Sequence, residues 1–70
     1  MRRYPVVSSA IAAVGYDPDS RVLELEFTSG GVYDYDDVPP EEVLHLIRAE
    51  SLGRYFTEHI RDVYPAHRAA

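Results

Sequence analysis

At Pro39-Pro40 the hydrophobic period of this chain changes. Before that point apolar and polar residues alternate, the period of two that a half-buried strand requires. After it apolar residues recur at spacings of three and four, the stripe of an amphipathic helix. Strands first and helices second confine the chain to an α+β architecture, with helices covering one face of an antiparallel sheet.

The strand half is punctuated by turns. Val22-Leu23-Glu24-Leu25-Glu26-Phe27 is the clearest strand, with Leu23, Leu25 and Phe27 on one face and both glutamates on the other. Asp17-Pro18-Asp19-Ser20 before it is a turn cluster in which Pro18 supplies a fixed φ. Ser29-Gly30-Gly31 after it is a hairpin signal, and Val32 to Asp36 alternates again. Ser9 to Tyr16, rich in Ala, Ile and Val, reads as a first strand. The expected sheet is therefore a three-stranded antiparallel meander over about residues 9–16, 21–28 and 32–37.

Glu41 and Glu42 after the two prolines mark a helix start, because proline is tolerated in the first turn and acids favour the positive end of the dipole. Val43, Leu44 and Ile47 form its apolar face, with Leu46 at the edge. Ser51 is the N-cap expected for a second helix, followed by Leu52, Phe56, Ile60, Val63 and Tyr64 as its stripe and Pro65 as its stop. Two α-helices, about 40–49 and 52–63, then pack on one face of the meander in the order β-β-β-α-α, and the tail from Ala66 frays. The expected core is Ile11, Leu23, Leu25, Phe27, Val43, Ile47, Leu52, Phe56 and Ile60.

The 70 residues read as a single domain, ordered from about 8 to 64. The chain has no cysteine, so neither a disulfide framework nor a thiolate metal site is available, and stability must come from the apolar 46% of residues. No membrane span or signal-peptide run is visible, and a reducing cytoplasm is the expected compartment. The formal charge of −5 disfavours general nucleic-acid binding, because phosphate neutralisation supplies most of that affinity. Residues 1–47 carry three Arg against nine Asp and Glu; residues 48–70 carry four Arg against three. Any anion-facing surface must use the C-terminal third.

Assembled in order, several segments resemble the KTSC domain family. They are Ser8-Ser9-Ala10-Ile11, Val14-Gly15-Tyr16-Asp17, Leu23 to Phe27, the central Tyr33-Asp34-Tyr35, Val38-Pro39, Ala49 to Phe56, and Ile60-Arg61. The tyrosine–any–tyrosine centre is the family's signature. The resemblance runs from Ser8 to about Tyr64 and implies a short module that occurs alone in bacteria and at the C-terminus of some lysyl-tRNA synthetases. That association implies a contact with RNA. Leu52, Thr57 and Asp34 stand where many members have a Lys, an Asn and a basic or neutral residue, and each change removes a positive charge or a hydrogen-bonding group.

Four constellations could carry chemistry. Ser51, Gly53 and Arg54 open the second helix, where unpaired N–H groups, a glycine that permits close approach and a guanidinium could accept an anion, with Tyr35 or Arg48 nearby. The same residues also describe a capped turn whose glycine lets a strand pack close. Tyr33 and Tyr35 share a strand face and could stack bases if exposed. A Ser29-Gly30-Gly31 loop would instead pair Phe27 with Tyr33 and Leu25 with Tyr35, placing both tyrosines in the core. Glu24, Glu26, Asp34 and Asp36 then crowd the opposite face, either as a solvated surface or as a patch for a cation or a basic partner. His45, His59 and His67 lack metal-ligand spacing, and no nucleophile elbow surrounds Ser8 or Ser9. No cofactor and no catalysis are expected. The function expected is binding: a protein or peptide partner, through an open strand edge that could also join two copies, or RNA through the second helix and Arg48, Arg54 and Arg61.

Overall fold

The computed structural model describes all residues, 1–70. It is an α+β fold with an antiparallel sheet and two helices, but the sheet has five strands rather than three. They are β1 (Tyr4–Pro5), β2 (Ile11–Asp17), β3 (Val22–Phe27), β4 (Val32–Tyr35) and β5 (Ala66–Arg68), paired in chain order. The central three are the expected meander. The two added edges have no alternating pattern to betray them: β1 is two residues with Pro5 as the second, and β5 is the tail expected to fray. The helical half ends short of Pro65, which leads the chain back along β4, where its carbonyl accepts from the Asp36 amide (2.9 Å).

The hairpin between β3 and β4 differs from expectation by one residue. Its three-residue loop is Thr28-Ser29-Gly30, closed by Phe27 and Gly31: the Gly30 amide donates to the Phe27 carbonyl (2.9 Å) and the Phe27 amide to that of Gly31 (2.8 Å). Gly30 has a φ of +109°, so it takes the left-handed position that ends such a loop, and Gly31 becomes a strand residue. Leu25 therefore faces Tyr33 and Leu23 faces Tyr35, a register two residues from the expected one. A shift of two preserves the faces. Both tyrosines stay on the side of Leu23 and Leu25, and Asp34 stays opposite Glu24.

The core comprises Ile11, Val14, Leu23, Leu25, Tyr35, Val38, Val43, Leu46, Leu52 and Ile60. Phe27 and Phe56, expected in the core, are only partly buried at its side, where their rings meet edge-on (centroids 5.2 Å apart) and Tyr35 packs on Phe56 (5.6 Å). The larger correction lies on α1 (Pro40–Arg48): Leu46 is fully buried, while Ile47 is 48% exposed. At about 100° per residue, Val43, Leu44, Leu46 and Ile47 span an apolar arc of roughly 160°. The helix turns only the Leu46–Val43 half of that arc into the core and leaves Ile47 and Leu44 on its flank. Composition cannot choose between the halves; the position of the sheet does.

The second helix is also shorter than its stripe. α2 (Leu52–Tyr55) widens into a π-helical turn, Phe56–Ile60, and ends there, leaving Val63 60% exposed. The Thr57 hydroxyl donates to the Gly53 carbonyl (2.9 Å), a local bond that competes with the helical ladder. The Arg61 amide then reaches back five residues to Phe56 (2.8 Å), and Asp62 adopts a φ of +63° that stops the helix.

Candidate functional site

Ser51 caps α2 as expected, its hydroxyl accepting from the Arg54 amide (3.2 Å). That bond occupies one of the N–H groups an anion would have used. A side chain at Gly53 would meet the Cβ of Ala10 at 3.0 Å, so this glycine serves the close approach of the helix to the residue leading into β2. Ser51 and Arg54 do share an open cleft of about 200 Å³, lined also by Ala49, Glu50, Tyr55 and Glu58. Two glutamates thus flank one guanidinium, and Arg54 pairs with Glu58 at 3.6 Å across one helical turn. The structure does not bring the other candidates to this cleft. Tyr35 is buried in the core against Phe56, and Arg48 lies exposed in the last turn of α1. Tyr33 packs edge-on against Phe27 with Arg68 over its ring, so the tyrosine pair presents no stacking platform.

Three arrangements were not legible from spacing. The first joins the helices. Glu42 of α1 accepts the hydroxyls of both Tyr55 and Tyr64 (2.9 Å for Tyr64). Burial, the bond to Glu42 and the nearby carboxylate push the Tyr55 phenol up to about 12. The partners are 13 and 22 residues from Glu42, distances no periodicity encodes.

The second lies on the sheet face away from the helices, where Gly15, Glu24, Asp34 and His67 stand in one row across β2 to β5. Arg3 reaches over it and binds Glu24 (2.8 Å) and Glu26 (3.1 Å). Burial raises both Glu24 and Asp34. At Glu24 the Arg3 guanidinium and the facing Asp34 outweigh it and bring the carboxyl below its usual range, whereas Asp34 stays above. One Asp34 oxygen, Oδ1, is buried with no hydrogen-bond partner. No three histidine or carboxylate side chains converge where a metal could be held.

The third is an apolar groove of about 400 Å³ between β1, β2 and α1. All six residues lining it are apolar: Tyr4, Val6, Val14, Tyr16, Val43 and Ile47. Its α1 wall is the edge of Val43 together with Ile47 of the unused half of the stripe, and Leu44 (44% exposed) lies on the same flank. Tyr16 stays in place because its hydroxyl donates to the Val38 carbonyl (2.5 Å), which also removes its polar end from the groove. The sequence carried no alternating signal for the β1 wall: Tyr4-Pro5-Val6 is a short run that contains a proline and has no polar partner positions.

A five-stranded antiparallel sheet backed by two short helices, with an open apolar groove at one margin, defines a small sheet-and-helix module. The chain belongs to the KTSC domain family, whose model matches residues 7–64. It superposes on the crystal structure of a KTSC domain protein from Yersinia pestis with a TM-score of 0.96 and 38% identity, over 99% of this chain and 97% of that one. An uncharacterised protein of Stutzerimonas stutzeri is 48% identical over 58 residues, 83% of this chain and 82% of its own. A lysine–tRNA ligase of Nostoc sp. is 42% identical over 53 residues, which are 76% of this chain and 9% of the ligase. No helix is long and apolar enough to cross a membrane.

Proposed function

We propose that this domain is a non-catalytic protein- or peptide-binding module whose docking surface is the groove between β1, β2 and α1. One observation carries the reading: a helix with a wide apolar stripe spends only half of it on the core and leaves Ile47 and Leu44 beside an all-apolar depression, with Tyr4 (58% exposed) on the other bank. Contiguous exposed apolar surface of this kind marks interaction sites. The lining has no convergent polar groups of the sort that orient a small metabolite, so apolar side chains of a protein segment are the better fit. Simple strand addition is less favoured at β1, because Pro5 has no N–H to offer a new neighbour.

The likeness to lysine–tRNA ligases supports a second reading, contact with RNA through the arginines of the C-terminal third. The pairing of Arg54 with Glu58 and the net charge of −5 weigh against it. Capture from native lysate, with and without RNase, by the wild type and by Ile47→Asp separates the two. Docking at the groove predicts a protein partner that survives RNase and is lost with Ile47→Asp. Material lost on RNase treatment and indifferent to Ile47→Asp overturns the groove in favour of RNA. Recovery of this chain itself would make the occupant a second copy.

A further inference from the structure

We propose that the N-terminal arm, residues 1–6, is an electrostatically latched wall of the apolar groove: Arg3, bound to Glu24 and Glu26 on one face of the sheet, holds Tyr4 and Val6 in place on the other. The inference rests on the groove being a docking surface only for its consequence, that the latch opens and closes that surface.

The arm has little else to hold it. β1 contributes two residues to the ladder, Tyr4 opposite Val14 and Pro5 opposite Ala13, and Pro5 has no N–H to donate. One further backbone bond follows, from the Val6 amide to the Ala12 carbonyl (3.1 Å). Met1 and Tyr4 are more than half exposed, so the arm buries little apolar surface. So short a ladder is marginal by itself. Arg3 adds two charge-assisted bonds that reach beyond β2 to β3, one of them to Glu24, whose side chain is only 9% exposed. Without the guanidinium, Glu24 would face Asp34 across the ladder uncompensated.

The path of the arm is cut into β2. An added Cβ at Gly15 would lie 2.6 Å from the Arg2 carbonyl oxygen, 3.2 Å from Arg3 Cγ and 3.3 Å from Met1 Sδ. Because strand side chains alternate, Arg3 on the acidic row and Tyr4 in the groove are consecutive residues on opposite faces. An event at the carboxylates is thereby an event at the groove. A basic partner competing for Glu24 and Glu26 would free Arg3 and remove two of the six groove-lining residues.

The test reads the free protein, so it stands or falls independently of whether the groove has a ligand. Amide exchange at Val6 and methyl spectra of Val14, Val43 and Ile47 are recorded for the wild type, Arg3→Ala and Gly15→Ala. For the wild type they are also recorded from low salt to about 1 M, where the screening length falls to about 3 Å. A latch predicts Val6 exchange faster by about tenfold or more in both variants, with amides of the β2–β3 ladder unchanged. It also predicts the same groove methyl shifts in both variants and, in part, at high salt. Arg3→Ala that matches the wild type at Val6 and in the groove methyls overturns the proposal. Should either variant unfold, the wild-type salt series decides, and its failure to move Val6 or the methyls has the same meaning.

Discussion

Leu46→Ala and Ile47→Ala on α1 should differ sharply in cost, in the order opposite to the one spacing suggests. Leu46 is fully buried in the core, so truncation removes three carbons at about 0.8 kcal/mol each and leaves a cavity, about 3 kcal/mol in all. Ile47 is 48% exposed and borders an open groove, so about half of its transfer energy is already forfeited and no closed cavity forms. Alanine also has the better helix propensity by a few tenths. Ile47→Ala should therefore cost less than about 1 kcal/mol. Against a total of about 4–10 kcal/mol for a chain of this length, the Leu46 variant loses a third or more of its stability. Its melting midpoint should fall by roughly 12–24 °C, at about 4–8 °C per kcal/mol for a domain of this size. Thermal unfolding by circular dichroism, checked by urea midpoints at constant slope, measures both. Equal costs, or a larger one for Ile47, would refute the rotation of α1 and with it the exposure of the groove.

On the acidic face, Asp34→Asn should stabilise. Burial and the facing Glu24 raise the Asp34 carboxyl, so the folded state binds its proton more readily than the unfolded chain, and stability falls as pH rises through that raised value. At pH 7 the asparagine variant should gain about 0.5–1 kcal/mol, a gain that disappears below the ordinary Asp value of about 3.9; a wild type at least as stable at pH 7 contradicts this. Tyr55 should be the last of the six tyrosines to ionise, near 12, in an ultraviolet titration. Its stabilising effect is intact below about 10, the ordinary tyrosine value, and is lost as pH climbs through the raised value. Glu42→Gln should bring that ionisation down and cost about 1–3 kcal/mol, since two hydroxyls lose a charged acceptor. Phe56→Ala should cost about 3 kcal/mol, the low end for an aromatic truncation, because its ring is only partly buried but touches Phe27 and Tyr35.

Local pattern alone determined the α+β class, the central β2-β3-β4 meander, the start of α1 after Pro39 and the Ser51 cap, because each depends on residues within a few positions of one another. That Tyr33 and Tyr35 share a face also followed from alternation, but only the observed odd-length loop puts that face on the side of Leu23 and Leu25. The tertiary structure decided what depends on distant partners. The tail becomes β5 because β4 offers an open edge, and the arm becomes β1 because Arg3 finds Glu24 and Glu26 more than 20 residues away. Separations of 13 and 22 residues likewise hid the Glu42–Tyr55–Tyr64 cluster. Of the candidate anion site, Ser51 and Arg54 do meet in one cleft, whereas folding sends Tyr35 into the core, sets Gly53 against Ala10 and places Glu58 beside Arg54. The groove emerged instead from the rotation of a helix about its own axis. Four apolar residues in an arc of roughly 160° permit that rotation, and only the sheet beneath them selects it.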